Sequence, residues 1–462
     1  MPGLPKRNLN QQDAIAAAAA FLLAFSCLFG GASRQHELRL ALVELAALPL
    51  IVLSLSEIVR RGIATEHRFA LWLLAGAAAI PLLQLIPLPP AVWSSLPGRD
   101  QLALALDLAG LPQGWLPLTL TPDATWRSFL SLLPPLAMFL AMLTVGPVVR
   151  QMLVQAIIGI TVAAICLGAA QLASGGERLY PWATTAAGNV TGFFANRNHL
   201  ATLCLVGIPF ATVLSIGATR RGGPNTRLAL WGPALYVVLA VLALGVIRSR
   251  AGVVLVGPVL GGSLIAAWIA AGRGRPRSVL IGMVAGIALA ITVVCAFALA
   301  PLLGRFDTQG TPEGRFENWP VVVEAANTYL PLGTGIGSFD PVYRSVEPTE
   351  RLDSSYFNQA HNDYLETWLE AGWLGAALII AFLVWFGRRA WTAWCSGVST
   401  QRDLQRAATI AVGVVMLHSA VDYPLRTAAM ATIFALCCGL LELAVRSDAE
   451  LTPQRSRRRR SS

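Results

Sequence analysis

Apolar runs of about 20 residues, the length that crosses the hydrocarbon core of a bilayer, recur along most of the chain with short polar segments between them. The pattern predicts helices at roughly 14–32, 38–58, 69–88, 126–146, 150–173, 196–216, 228–247, 251–271, 278–300, 365–386, 406–422 and 427–445. Taken together they predict an all-α, polytopic transmembrane bundle of about 12 spans. Helices 1–9 fill 14–300, a large segment at 301–364 follows, and helices 10–12 fill 365–445.

Arginine orients this bundle. With residues 1–13 placed inside and the sides alternating, 22 of the 35 basic residues fall in cytoplasmic segments. Among them are Lys6, Arg7, Arg60, Arg61, Arg150, Arg220, Arg273, Arg388, Arg406 and the tail run Arg457–Arg460. No cytoplasmic loop lacks Arg, as the positive-inside rule requires. Both termini are therefore expected in the cytoplasm, and the basic tail 446–462 is expected to attract anionic lipid. Gly30-Gly31-Ala32 makes a poor signal-peptide cleavage site, so the first apolar run reads as an uncleaved helix.

Composition agrees. Hydrophobic residues make up 55% of the 462 and charged residues only 13%, against about a quarter charged in soluble chains. The net charge of +10 does not indicate nucleic acid, because its arginines sit in short clusters between apolar runs. The seven cysteines (Cys27, Cys166, Cys204, Cys295, Cys395, Cys437, Cys438) lie mostly within apolar segments and show no metal-ligand spacing.

Three outside segments are long: 89–125, 174–195 and 301–364. The first is rich in Pro and Trp, including Pro89, Trp93 and Trp115, and Trp suits the headgroup level. In the third, Arg315–Thr328 predicts an amphipathic helix with Phe316, Trp319, Val323 and Ala326 near one face. Gly333-Thr334-Gly335-Ile336-Gly337 follows it; with no βαβ unit around it, a phosphate-loop reading fails.

The polar residues that call for explanation all fall on the outer side. Asn196-Arg197-Asn198-His199 opens helix 6, and Arg beside a span usually faces a cavity or partner; snorkelling to headgroups is the simpler alternative. Arg248-Ser249-Arg250 forms a tight outer turn, against the positive-inside trend. Guanidinium suits phosphate because its planar fork donates bidentately, although lipid headgroups offer the same contact. Arg315 opens the amphipathic segment. His361, read on a helix continuing through Gly372, shares a stripe with Tyr364, Leu365 and Trp368, opposite Asp363, Glu366 and Glu370. On that geometry Asp363 cannot orient the His, and any partner comes from another helix. His361 is the best titratable base near neutral pH. His418, Asp422 and Arg426 bracket the last outer turn, with Asp422 and Arg426 expected to pair structurally. Several Arg plus a His facing outward is what transfer from a diphosphate requires: Arg to neutralise growing charge, His to accept the proton of the attacking hydroxyl. No carboxylate cage for Mg²⁺ is evident, so neither metal nor cofactor is expected.

With these residues in view, the chain from about Pro87 to Arg426 resembles the O-antigen ligase and O-antigen polymerase superfamily. The resemblance rests on Gly192–Ala201, Ser249–Gly252, Gly314-Arg315 with Trp319, Pro331–Gly337, and His361 followed eleven positions later by Gly372. It implies metal-independent, inverting transfer of a glycan from undecaprenyl diphosphate, at the periplasmic face of the bacterial inner membrane. In ligases the acceptor is a lipid A core sugar; in polymerases it is a growing glycan. By motif, His361 would be the base and Arg197, Arg250 and Arg315 would bind the diphosphate, with Arg248 able to exchange roles with Arg250 and Asn196 and Asn198 beside them. A polymerase of O-antigen or exopolysaccharide, or a protein O-glycosyltransferase, would use the same chemistry. A transporter would instead gather polar residues near the bilayer midplane, and a scaffold would give no reason to concentrate Arg outside.

Overall fold

The computed structural model describes residues 9–33, 37–175, 179–182, 189–221, 226–272, 288, 292, 315–352 and 357–442. Among these residues the chain is helical throughout its regular structure, except for one antiparallel pair of two-residue strands, Pro87–Leu88 against Leu116–Pro117. The helices are α1 (Leu9–Phe29), α2 (Glu37–Arg61), α3 (Arg68–Gln84), α4 (Pro90–Trp93), α5 (Asp100–Leu108), α6 (Pro122–Leu130), α7 (Leu133–Thr144), α8 (Pro147–Ser174), α9 (Arg197–Arg221), α10 (Thr226–Ile247) and α11 (Arg250–Ala271). After them come α12 (Arg315–Thr328), α13 (Phe339–Val346), α14 (Asp363–Cys395), α15 (Thr400–Ser419) and α16 (Ala428–Leu441).

Eleven of the twelve segments expected from the apolar pattern fall on these helices. The twelfth, 278–300, lies almost wholly outside the described residues, as do the N-terminal Lys6 and Arg7 and the basic tail 446–462. Among the described residues, seven helical segments are long and apolar enough to cross a membrane: Gln11–Phe29, Glu37–Arg61, Pro122–Thr144, Pro147–Ser174, Arg197–Ala218, Arg250–Ala271 and Asp363–Cys395. The chain is an all-α, multi-pass membrane protein. Two expected spans are interrupted. That at 126–146 breaks between α6 and α7, where Pro134 and Pro135 lack amide hydrogens and fit only a first turn. In α14, Gly372 adopts φ 51°, ψ −136° and splits the helix, leaving 363–371 as a separate piece ahead of the long apolar run.

α9 is the central post, buried along its whole apolar length and packed by α8, α10, α11 and α15. Its small residues permit this close approach, as between helices in lipid. At Gly207 a Cβ would collide with the Tyr236 ring of α10. The last helix is joined to α7 by the same device, with Gly439 of α16 against Met142.

Charged residues collect at the two ends of the bundle. At one end, Arg61 and Arg150 donate to the carbonyls of Thr144 and Met142 at the close of α7, which helix C-termini leave unpaired. There Glu442 accepts from His67 (2.7 Å), Trp385 (2.6 Å) and Arg389 (2.5 and 2.9 Å). Arg406, fully buried, pairs with Asp403 and donates to the carbonyls of Ser396 and Gly397. The other end carries the sequence-predicted site.

Beyond that end, α12, α13 and the start of α14 form a small core of their own around Val322, Ala325, Ala326, Phe339, Val342, Tyr343 and Leu369. The amphipathic face of α12 is therefore rotated from the expected one. Val322 and Ala325 pack inward with Ala326, while Phe316 and Val323 are exposed. The reason is that Trp319 turns toward the chain before α14, where its Nε1 donates to the Ala360 carbonyl.

Candidate active site

The Asn362 side chain sets where α14 begins. Its Oδ1 accepts from the amides of Tyr364 and Leu365, both at 3.0 Å, the capping arrangement that satisfies a helix's first donors. His361 therefore stands outside the helix, with a left-handed backbone at φ 49°. The continuous stripe of His361, Tyr364, Leu365, Trp368 and Gly372 is corrected on this point, because Asn caps a helix better than it continues one. On either side of the residue before it, the Ala360 amide donates to Glu366 Oε2 (3.0 Å) and the Ala360 carbonyl accepts from Trp319 (2.8 Å).

The partner of His361 comes from the turn after α15. Its Nδ1 lies 3.4 Å from Oδ1 of Asp422, a fully buried carboxylate. Asp422 also accepts from the Nδ2 of Asn196 (3.3 Å to each oxygen), the Nδ2 of Asn198, and the amide of Tyr423 (2.9 Å). Burial on its own raises a carboxyl pKa. Here the imidazole of His361, with those of His199 and His418, outweighs it and holds Asp422 well below the ordinary carboxylate range. Rings close the surroundings: Tyr423 meets His361 edge-on at 4.8 Å and His199 at 5.3 Å. His418 bonds Thr202 at 2.6 Å.

The expected Asp422–Arg426 pair is not formed. Arg426 instead faces three carboxylates of α14: Glu370 at 2.8 Å, Glu366 at 3.5 Å and Asp363 at 3.6 Å. The acidic stripe read from the sequence is real, but all three side chains are buried. Glu370 is shared further. Its Oε1 accepts from the amides of Gly337 (2.8 Å) and Phe339 (3.2 Å). Other donors of the Gly-rich turn go to Gln84 Oε1 and to the carbonyls of Leu369 and Glu370. The turn thus spends its amides on protein oxygens, and its φ values of 79°, 104° and 97° at Gly333, Gly335 and Gly337 suit glycine alone.

The arginines are placed by helix starts. Arg197 is the first residue of α9, between the two asparagines on Asp422, and its Nη1 donates to Asn189 (2.9 Å). Arg248, exposed and left-handed at φ 56°, makes the turn into α11. Ser249 caps that helix by accepting from the Gly252 amide (3.1 Å), and Arg250 is its first residue, half-buried. α11 docks on α9 closely enough that a Cβ on Gly252 would lie 2.9 Å from that of Ala201. Arg197 and Arg250 therefore open neighbouring helices at one end of the bundle, where helix N-termini favour anions. Arg315 opens α12, one turn before Trp319.

Of the predicted residues, His361, Asn196 and Asn198 meet directly at Asp422, and Arg197 lies between the two asparagines in sequence. Arg250 begins a helix packed on α9, and Arg315 begins α12, whose Trp319 bonds the residue before His361. Sequence reasoning missed the role of Asp422; its one signal was an acid beside Tyr423-Pro424 at the same outer boundary. No curated protein matches the chain. The family model described as O-antigen ligase matches residues 235–380, a stretch that holds Arg248, Arg250, Arg315, the Gly-rich turn, His361 and Gly372. Over that stretch the chain is similar to the O-antigen ligase family.

Proposed function

We propose that this protein transfers a glycan from undecaprenyl diphosphate to a sugar hydroxyl, as an O-antigen ligase does with the lipid A core, at the periplasmic face of the bacterial inner membrane. The observation that carries the reading is His361, inside the family match, set against the buried carboxylate of Asp422 at the end of the bundle where the helices of Arg197 and Arg250 begin. The side of the membrane follows from the cytoplasmic arginines of the sequence.

With Nδ1 turned to Asp422, His361 offers Nε2 to the substrate. Nε2 takes the proton of the acceptor hydroxyl, whose oxygen forms the new bond to the anomeric carbon from the face opposite the leaving group. The carbon–oxygen bond to the diphosphate breaks, and the electron pair leaves with the lipid diphosphate. Asp422 stabilises the imidazolium that results. Arg197, Arg250 and Arg315 offset the charge growing on the leaving diphosphate, with Arg248 at the rim, and no metal is required. Asn196 and Asn198 act beside them by fixing Asp422.

The test is purified protein with a polyprenyl-diphosphate glycan and candidate acceptors, read by product mass with and without a chelator. The expected product is acceptor heavier by one glycan, with free polyprenyl diphosphate, unchanged by the chelator. Absence of transfer with every acceptor contradicts the reading. In cells, deletion that strips all long glycan from lipid A while lipid-linked polymer accumulates fits a ligase; capping by single repeats fits a polymerase.

A further inference from the structure

The buried acids of α14 have no part in the chemistry above, yet one of them reaches the backbone that carries its base. His361 has a left-handed backbone, a conformation that a non-glycine residue keeps only when its surroundings enforce it. The residue before it is gripped at both polar atoms: its amide by Glu366 Oε2 at 3.0 Å and its carbonyl by Trp319 Nε1 at 2.8 Å. The Gln359 carboxamide, oriented to donate, also binds Glu366. Glu366 is fully buried and lies 3.5 Å from Arg426, which bonds Glu370 and through it the Gly-rich turn.

We infer that Glu366, anchored by Arg426, is a positioning residue: by holding Gln359 and Ala360 it fixes the strained backbone that turns the His361 imidazole toward Asp422. The inference rests on His361 as the base. Glu366 touches no reacting atom and acts only through the backbone of its neighbours. An apolar side chain of similar size would leave the Ala360 amide buried without an acceptor and let the loop relax. An amide would keep one acceptor oxygen.

The experiment measures kcat and donor KM of transfer for purified full-length Glu366→Leu, Glu366→Gln, Trp319→Phe and His361→Ala. Misplacing a catalytic group by about 1 Å costs about a hundredfold in rate. Glu366→Leu is therefore expected to lower kcat about a hundredfold at unchanged donor KM. Glu366→Gln should restore the rate to within about tenfold of wild type. Trp319→Phe, which keeps the ring and loses the donor, should also lower kcat at unchanged KM. Wild-type kcat in Glu366→Leu overturns the inference, as does a Gln variant no faster than the Leu variant. If Glu366→Leu does not fold, Trp319→Phe decides: a lower kcat sustains the inference and an unchanged one overturns it. An active His361→Ala protein removes the base itself. An inactive His361→Ala beside a fully active Glu366→Leu removes only the positioning role.

Discussion

His361 Nδ1 sits 3.4 Å from Asp422 Oδ1, and the two residues belong to loops that flank different helices, one before α14 and one after α15. In the proposed mechanism this carboxylate favours the proton on Nδ1 and leaves Nε2 to act as base. Asp422→Asn keeps the shape and removes that charge. Its kcat for glycan transfer is expected to fall about a hundredfold, with donor KM unchanged, in initial-rate assays on purified protein.

The depressed pKa of Asp422 has a second consequence. A carboxyl held below its ordinary value contributes stability that is fully present above the unfolded-state pKa, about 3.9 for Asp, and is lost as pH falls through the folded-state value. The stability difference between wild type and Asp422→Asn should therefore stay constant from pH 8 to about pH 5 and shrink only below about pH 4. Thermal unfolding across this range checks it. A difference that already shrinks between pH 7 and 6 would mean that Asp422 is not held ionised.

The diphosphate-binding role proposed for the arginines predicts a defect in donor affinity. Arg197→Lys and Arg250→Lys retain charge but lose the planar fork. Loss of one hydrogen bond to a charged group costs about 1.5–3 kcal/mol, so each is expected to raise donor KM about tenfold or more. Saturation curves against lipid-diphosphate glycan measure this. Unchanged KM in both variants would remove these residues from the donor site.

At the opposite end of the bundle, Glu442 joins α16 to α3 and α14 through His67, Arg389 and Trp385. Taking one partner from a buried ion pair costs about 3–5 kcal/mol. Glu442→Ala is expected to lower thermal stability by this order while the folded fraction keeps wild-type kcat. Unfolding curves and active-fraction rates separate the two effects.

The helices were legible because a membrane span is announced by length and apolarity alone; the segments expected at 38–58 and 251–271 lie within a few residues of α2 and α11. The interruptions at Asn362 and Gly372 were not, since periodicity carries no information about a side-chain cap or a left-handed backbone. His361 stood out by residue type, and Arg197, Arg248 and Arg250 by falling on the side expected to carry few arginines. That Asp363, Glu366 and Glu370 share a stripe followed from helical spacing. What the stripe faces did not, because Arg426 comes from another turn. The same holds for Asp422, whose partners are set by tertiary packing of α9, α14 and α15. Its nearest charged neighbour in sequence, Arg426, was the natural but incorrect partner.

The most direct measurement of the central claim is single-turnover glycan transfer by purified wild-type and His361→Ala protein, with donor binding measured on the same samples. With His361 as base, the variant binds lipid-diphosphate glycan as wild type does and transfers it at least about a hundredfold more slowly. A folded His361→Ala protein that transfers at the wild-type rate contradicts the account.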